Sequence, residues 1–499
     1  MTTAAALDTL PKHFLAAARK YGDGKVAVRQ KTLGIWEEHT WRHSYEQVRD
    51  LALGLLELGL QPGERGGLLG DNDREYFWAD LALLSAGGVT VGIFTDVIPD
   101  ELEYLLRNAD ASFVFAKDQE QCDKLLSIKE RLPQVKKVIY WEDSGMWHYH
   151  DDWLIPFEEV QAMGRRAPDP DGRFEQQVAR GKGSDWAAFC YTSGTTGRPK
   201  GAILTHSYFL FFNDALFKVD PRLPSDNHVS FLSLAWVAEH VYGVTSHCTA
   251  HCTINFPETP ETLQQDIREV APEEMLFNSR LWENVVRSVQ VRINDATRFN
   301  RWLYDRFLPV GYEYADRMFE KKPLDFWLRW RYALACYLLF DPLRDQLGLT
   351  HVRTAHTTGA ALSPQVVRFF YALGVHVKQV YGSTESGIVA CHREDRINFY
   401  SVGEVIPGFQ LQISPEGEIL IHSPQLFVGY YGNEEATRNA IHVDEASRPW
   451  FRTGDAGRID PDGHVIYFDR LDDMIDLGSW EIYSPQYIEG HLKFNPAIR

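Results

Sequence analysis

In the N-terminal third, apolar residues recur first at helical spacing and then in short unbroken runs. Val48, Leu51, Leu55 and Leu58 of TWRHSYEQVRDLALGLLELGL stand three and four apart, one face of an amphipathic helix. A polar turn at Gln61-Pro62-Gly63 follows, and then a short strand candidate from Gly66 to Leu69. YFWADLALLSAGGVTVGIF repeats the scheme, with a helix, a stop at Gly87-Gly88 and a β-branched strand. SFVFA (112–116) and KKVIYW (136–141) add two more strand candidates. Short, wholly apolar strands alternating with helices predict an α/β fold of parallel sheet packed between helices.

The pattern then changes twice. Pro168 to Gly183 is polar and rich in Pro, Gly and charge, which reads as a surface loop. From Asn300 to Leu349 the spacing is helical and rich in aromatics, which predicts a buried helical hairpin rather than a membrane-touching surface. Beyond Gly403 short strands alternate with turns, with hairpin-like turns at Ser414 to Gly417 and at Pro461-Asp462-Gly463. An antiparallel subdomain over 403–469 is expected there.

Composition narrows the function classes. The 499 residues, 44% hydrophobic and 24% charged, are those of a folded globular chain and exclude a disordered or collagen-like one. Fifty-one basic against 69 acidic residues leave −18, a repulsive background for nucleic acid or anionic membrane. A polyanionic ligand therefore needs a local cluster of donors. The start, MTTAAALDTLPKHF, lacks a signal-peptide pattern, and the apolar run Tyr332 to Phe340 is far shorter than the roughly 20 residues of a spanning helix. Six scattered cysteines fit a reducing compartment, so a cytoplasmic protein with no integral membrane segment and no nucleic-acid partner is expected. The oligomeric state stays open, a dimer included.

The strongest chemical signal is YTSGTTGRPKGAILTH, from Tyr191 to His206. The apolar strand candidate WAAFCY runs into Thr192, Ser193, Gly194, Thr195, Thr196 and Gly197, and Lys200 follows. Glycines let the backbone approach a phosphate, hydroxyls and successive N–H groups donate to its oxygens, and the lysine adds a mobile positive charge. A flexible linker would not need this placement directly after a strand. A Walker loop is disfavoured, because Lys200 follows Arg198-Pro199 and precedes Gly201 instead of Ser or Thr.

This segment resembles the phosphate-binding signature of the acyl-adenylate-forming (AMP-binding) superfamily: acyl-CoA synthetases, luciferases and peptide-synthetase adenylation domains. Four further motifs follow in the family's order. YGSTESG, Tyr381 to Gly387, resembles the second nucleotide motif. There Tyr381 offers a ring for adenine, Thr384 a hydroxyl to the α-phosphate and Glu385 a hard oxygen to Mg²⁺, and the resemblance counts Gly382 and Ser383 among the nucleotide-binding residues. Thr357-Thr358-Gly359-Ala360-Ala361 resembles the adenine-side loop, with Thr358 and Ala361 where the family usually has Gly and Pro. FRTGD supplies Asp455 for the ribose hydroxyls. In DRLDD, Arg470 would reach the ribose and Asp472 would be the hinge pivot. LSLAWVAEH, SVGEVIPG, SPQYIE and the segment from Trp282 to Leu349 look most like the long-chain fatty acyl-CoA synthetases, with Trp236 as an acyl-pocket wall.

The resemblance implies a large N-terminal domain over 1–469 and, over 470–499, a hinge and the start of a small α+β domain. It implies a ligase of fatty acid metabolism that uses ATP, forms AMP, and joins a bulky hydrophobic acid to coenzyme A through an acyl-adenylate. Lys200, Thr384 and Glu385 would be catalytic, with Glu385 and Thr192 on the metal side. Two alternatives stand beside it. One is a ligase for a single half-reaction, suggested by Trp480 where the family's thiol-channel loop carries glycine. The other is a non-catalytic acyl-adenylate or nucleotide-binding protein, suggested because the family's C-terminal lysine would fall beyond Arg499. On that count the chain is expected to bind nucleotide and acyl group but adenylate poorly. His247, Cys248, His251 and Cys252 are expected in a buried strand segment rather than at zinc. His206 and His240 are read as positioning groups, since a carboxylate substrate is already ionised. Cys190 is read as core.

Overall fold

The helical spacing at Val48, Leu51 and Leu55 becomes the helix Trp41–Glu57, started by Thr40, whose hydroxyl accepts from the His43 N–H, and all three side chains are buried. The structure is a computed structural model that describes residues 7–192, 197–359, 362–394, 396–398, 400–476, 482–485 and 488. The chain packs as two units: Met1–Asp214 with Arg222–Pro260 and Gln425–Arg438, and Ala215–Pro221 with Glu261–Pro424 and Asn439–Arg499.

The first unit holds a seven-stranded sheet in the order Leu154–Pro156, Lys137–Tyr140, Ala111–Ala116, Arg65–Leu69, Val89–Ile93, Trp186–Thr192, Lys200–Thr205. Every neighbouring pair is parallel except the last. Ala111–Ala116 is buried along its whole length, as its unbroken apolar run requires. The same unit pairs Asn227–Val229, Thr253–Phe256 and Val26–Thr32 in parallel, with Ile35–Thr40 antiparallel at the edge. The second unit places Glu274–Asn278, Thr354–Thr358 and Val377–Ser383 in parallel, followed by Gly387–Cys391 and Glu404–Val405 antiparallel. The predicted turns at 414–417 and 461–463 close antiparallel hairpins between Gln410–Ile413 and Glu418–His422, and between Pro449–Ile459 and Val465–Arg470. The mixed α/β architecture is the one expected.

Three local expectations are corrected. The stretch read as a loop at 168–183 contains the helix Pro170–Arg180. Asp169 caps it by accepting from the Gly172 N–H at 3.2 Å, Pro170 takes the first turn, and Phe174 and Val178 bury a narrow apolar edge. Two apolar residues among many polar ones carry too little periodicity to stand out. Asp169→Ala is expected to cost about 1 kcal/mol in urea unfolding; an unchanged midpoint would show that the cap contributes nothing.

The His247 to Cys252 segment is only in part the expected strand. Ser246–Ala250 is helical, His251 turns the chain at φ 64, and the strand begins at Thr253. His247 donates from Nδ1 to the Cys252 carbonyl at 2.8 Å and stacks on Trp41 at 4.1 Å, which makes it a core residue.

The hairpin of Arg298–Phe319 and Phe326–Ala335 is buried on one face only. Tyr314 stacks on Tyr332 at 3.8 Å, and Leu328, Ala335, Leu339 and Phe340 are buried. Phe326, Trp327, Trp330 and Tyr337 face solvent, at 72, 69, 54 and 76% exposure. A helix with apolar residues all round needs cover on both sides, and the hairpin partner covers one. Among the described residues, no helix is long and apolar enough to cross a membrane.

Candidate functional site

In the first unit the strand Trp186–Thr192 leads up to the candidate phosphate loop and Lys200–Thr205 leads away from it, paired antiparallel with Thr192 opposite Lys200. Ser193, Gly194, Thr195 and Thr196 lie outside the described residues, as does Ala360. The ends of the loop are tied down. The Tyr191 hydroxyl donates to Asn108 Oδ1 at 2.8 Å, and the Tyr104 hydroxyl donates to the Pro199 carbonyl at 2.9 Å. The Arg198 guanidinium sits 5.0 Å over the Tyr104 ring, and the Lys200 ammonium 5.4 Å over the Tyr430 ring. The neighbouring segment is held as an extra edge: Val428 N–H donates to the Ile203 carbonyl and Tyr431 N–H to that of Gly201, both at 2.9 Å. Lys200 thus leaves a fixed base on a flexible stem. Trp236 is half-buried at the start of the short helix Val237–His240, beside Ala235, whose Cα would stand 2.5 Å from a Cβ on Gly92.

In the second unit the parallel strands Thr354–Thr358 and Val377–Ser383 end side by side, each in a candidate nucleotide loop. Thr354–Thr358 runs into Gly359 at φ 93, a left-handed conformation that favours glycine. Val377–Ser383 turns at Thr384 to Ser386 into Gly387–Cys391. Gly382 is required by closeness, because a Cβ there would lie 1.9 Å from the Gly387 carbonyl oxygen. The Ser386 N–H donates to Ser383 Oγ at 3.3 Å, which fixes the turn that carries a half-buried Thr384 and a buried Glu385.

Tyr381 and Asp455 are buried side by side in this unit, and the exposed Arg470 reaches Asp455 from the surface. The Tyr381 hydroxyl donates to Asp455 Oδ2 at 2.6 Å, and Arg470 Nη1 lies 3.0 Å from Asp455 Oδ1. Arg470 also donates to the Thr453 carbonyl, and Thr453 Oγ1 accepts from the Asp455 N–H. Burial pushes the Asp455 carboxyl up, opposed by the Tyr381 hydrogen bond and the Arg470 charge. Among the described residues each Asp455 oxygen has one side-chain partner, which leaves a second lone pair on each for a hydroxyl donor. Arg470 ends the strand Val465–Arg470, and Asp472 is exposed in the single turn Leu471–Asp473. The Gly478 to Glu481 segment, Trp480 included, lies outside the described residues.

Glu385 and Thr192 offer a carboxylate and a hydroxyl, hard oxygen donors whose chemistry suits Mg²⁺. Each donor type is one that the metal implied by the resemblance takes.

Sequence reasoning missed a buried group in the second unit. Asp220 Oδ1 lies 2.5 Å from Lys378 Nζ, and Asp220 Oδ2 lies 2.9 Å from His356 Nε2. Cys391 Sγ sits 3.8 Å from the same His356 nitrogen. His356 and Lys378 belong to the two strands that end in the candidate nucleotide loops, so Asp220 clamps both. Burial works against the Asp220 charge, but the His356 hydrogen bond and the Lys378 ammonium outweigh it and hold the carboxyl well below its usual range. The one signal was Lys378, a charge in the otherwise apolar run HVKQVY, which must find a partner when buried.

The discounted residues are structural. Cys190 is buried, and His240 Nε2 bonds Asp80 Oδ2 at 3.0 Å. Burial lowers His206, His247 and His392 to about 3. Their folded values lie below their unfolded ones, so their contribution to stability is complete above about pH 6.5 and is lost as pH falls toward the folded value. Urea midpoints should therefore drop from about pH 6.5 to about pH 4, each imidazole contributing on the order of 1 kcal/mol per pH unit. A flat profile over that range would contradict their burial as neutral groups.

The AMP-binding enzyme family matches residues 14–431. A Xenopus laevis long-chain-fatty-acid–CoA ligase, ACSBG2, is 28% identical over 97% of this chain and 66% of its own length. The Drosophila melanogaster long-chain-fatty-acid–CoA ligase heimdall is 27% identical over 97% of this chain and 72% of its own. The chain thus spans about two thirds of the length of these relatives. Among solved structures, a long-chain-fatty-acid–CoA ligase from Archaeoglobus fulgidus superposes with TM-score 0.72 at 20% identity, covering 94% of this chain and 85% of that one. The anthranilate CoA ligase AuaEII, in complex with anthranoyl-AMP, gives the same TM-score and identity over 98% and 83%. These two likenesses are of fold. With its motifs in order and most of its length matched, the chain belongs to the AMP-binding enzyme family.

Proposed function

We propose that the chain activates a bulky hydrophobic carboxylic acid, long-chain or polycyclic, as its acyl-adenylate and transfers the acyl group to coenzyme A. The observation that carries this reading is Asp455, a buried carboxylate oriented from both sides by Tyr381 and Arg470 and able to accept from a ribose diol. The loop from Thr192 to Lys200 donates to the phosphates, Thr384 to the α-phosphate, and Trp236 walls the acyl pocket. Charge that develops on the phosphates as the substrate carboxylate attacks the α-phosphorus is met by these donors, and Lys200 follows the leaving pyrophosphate. Glu385 and Thr192 would hold Mg²⁺, which supplies Lewis-acid neutralisation of the phosphate oxygens.

The domain division belongs to the same proposal: 1–469 with the antiparallel part over 403–469, then the hinge at Arg470 and Asp472. The exposed turn Leu471–Asp473, placed directly after a buried strand, supports it. A cytoplasmic location and a fatty acid as partner complete the reading.

Thioester assays separate this function from its alternatives. With ATP, Mg²⁺, coenzyme A and a panel of hydrophobic acids, the expected product is an acyl-CoA, and the preferred acid should raise the melting temperature most when ATP is present. Thioester formed only from a supplied acyl-adenylate would point to the single half-reaction. No product from either supply, with nucleotide still bound, would leave a binding protein.

A further inference from the structure

The helix Phe326–Ala335 and its continuation Cys336–Phe340 carry apolar side chains on opposite faces. Leu328, Ala335 and Leu339 are buried. On the other side Phe326, Trp330, Ala333 and Tyr337 recur at spacings of four, three and four, the repeat of a single helix face, and all four are exposed. Trp327 widens that face, its ring 5.8 Å from Phe326 and 6.4 Å from Trp330. This outer stripe is as regular as a core stripe. A contiguous exposed aromatic patch of this kind marks an interaction surface.

Charge narrows the partner. The whole chain carries −18, yet Phe326 to Phe340 contains no acidic residue and two arginines, Arg329, which is exposed, and Arg331, which is paired with Glu313 at 3.0 Å. The acids at its margins are already engaged. Asp325 caps the Leu328 N–H at 2.8 Å and pairs with Arg317 at 2.9 Å, and Asp341 pairs with Arg344. Lys321 and Lys322 are exposed just before the helix, Lys322 paired with Glu320. Ionic screening confines electrostatics at physiological salt to about 8 Å, so the charges at the contact decide and the distant acidic excess does not. Trp, Tyr and Phe on one helix face with the exposed Arg329 on its flank is the chemistry of a bilayer interface: rings at headgroup depth and a guanidinium on lipid phosphate.

We propose that this face docks on the surface of an anionic lipid bilayer, with the helix axis lying in the plane of the interface. The contact is peripheral, since no described helix is long and apolar enough to span. Its use, collecting a hydrophobic acid dissolved in the bilayer, rests on the proposed acyl activation. The docking itself does not.

Vesicle flotation without ATP or acid tests it, so that failure here and failure of acyl activation remain distinguishable. The chain should float with phosphatidylcholine vesicles containing about one fifth phosphatidylserine, and less with phosphatidylcholine alone. Replacing Phe326, Trp327 and Trp330 by Ser together should weaken binding about tenfold or more, with circular dichroism and the urea midpoint unchanged because all three side chains face solvent. Arg329→Glu alone should weaken binding to the anionic vesicles and leave that to neutral ones as it was. The proposal is overturned if the wild-type chain stays with the unbound fraction, if both variants float as well as it does, or if the patch closes by self-association that the triple variant dissolves.

Discussion

Asp220→Asn is expected to destabilise the chain by about 3–5 kcal/mol at neutral pH, the scale for breaking a buried ion pair by removing one partner. Lys378 and His356 are each under 4% exposed, and Asp220 is the carboxylate that both approach, at 2.5 and 2.9 Å. An amide keeps the shape of the carboxyl but leaves the Lys378 ammonium without a counter-charge in a buried place. Because the Asp220 carboxyl is held below its usual range, its contribution is complete above about pH 4 and is lost only as pH falls through the folded value. Replacing both members with apolar residues, Asp220→Leu with Lys378→Met, should recover much of the loss, since a matched apolar pair often substitutes for a buried ion pair. Urea unfolding of the three chains decides the matter. A single-mutant loss of less than about 1 kcal/mol would mean that water reaches the cluster.

Glu385→Gln is expected to lower adenylate formation by about a hundredfold or more while leaving the fold intact. The side chain is buried on a turn fixed by Ser383, Ser386 and the close approach at Gly382, so the isosteric amide should keep its position. What it loses is a full negative charge toward a divalent cation, and the half-saturating Mg²⁺ concentration should rise together with the fall in kcat. A fall in kcat with unchanged Mg²⁺ dependence would move Glu385 from metal binding to another role. Activity within a few-fold of the wild type would remove it from the site.

How much of this was legible in the sequence depended on how local each signal was. The strands at 66–69 and 112–116 were readable because both faces are buried and the residues therefore run apolar without a break. The hairpins at 414–417 and 461–463 were readable from turn chemistry within four residues. The candidate motifs stood out as contiguous residue patterns, although FRTGD lies inside the strand Pro449–Ile459 rather than in a loop. Pro170–Arg180 was hidden because Phe174 and Val178 alone define its inner edge. The exposure of Phe326, Trp330 and Tyr337 was hidden because periodicity reports faces and does not report what covers them. The Asp220 cluster joins positions more than 130 residues apart, and only the topology brings them together.

The central claim, that this chain forms an acyl-adenylate, is tested most directly by ATP–pyrophosphate exchange on the longest natural form of the protein. The expected result is exchange that depends on a hydrophobic carboxylic acid and Mg²⁺, is absent without the acid, and is strongly reduced in Glu385→Gln. Nucleotide binding with no acid-dependent exchange for any hydrophobic acid would contradict it.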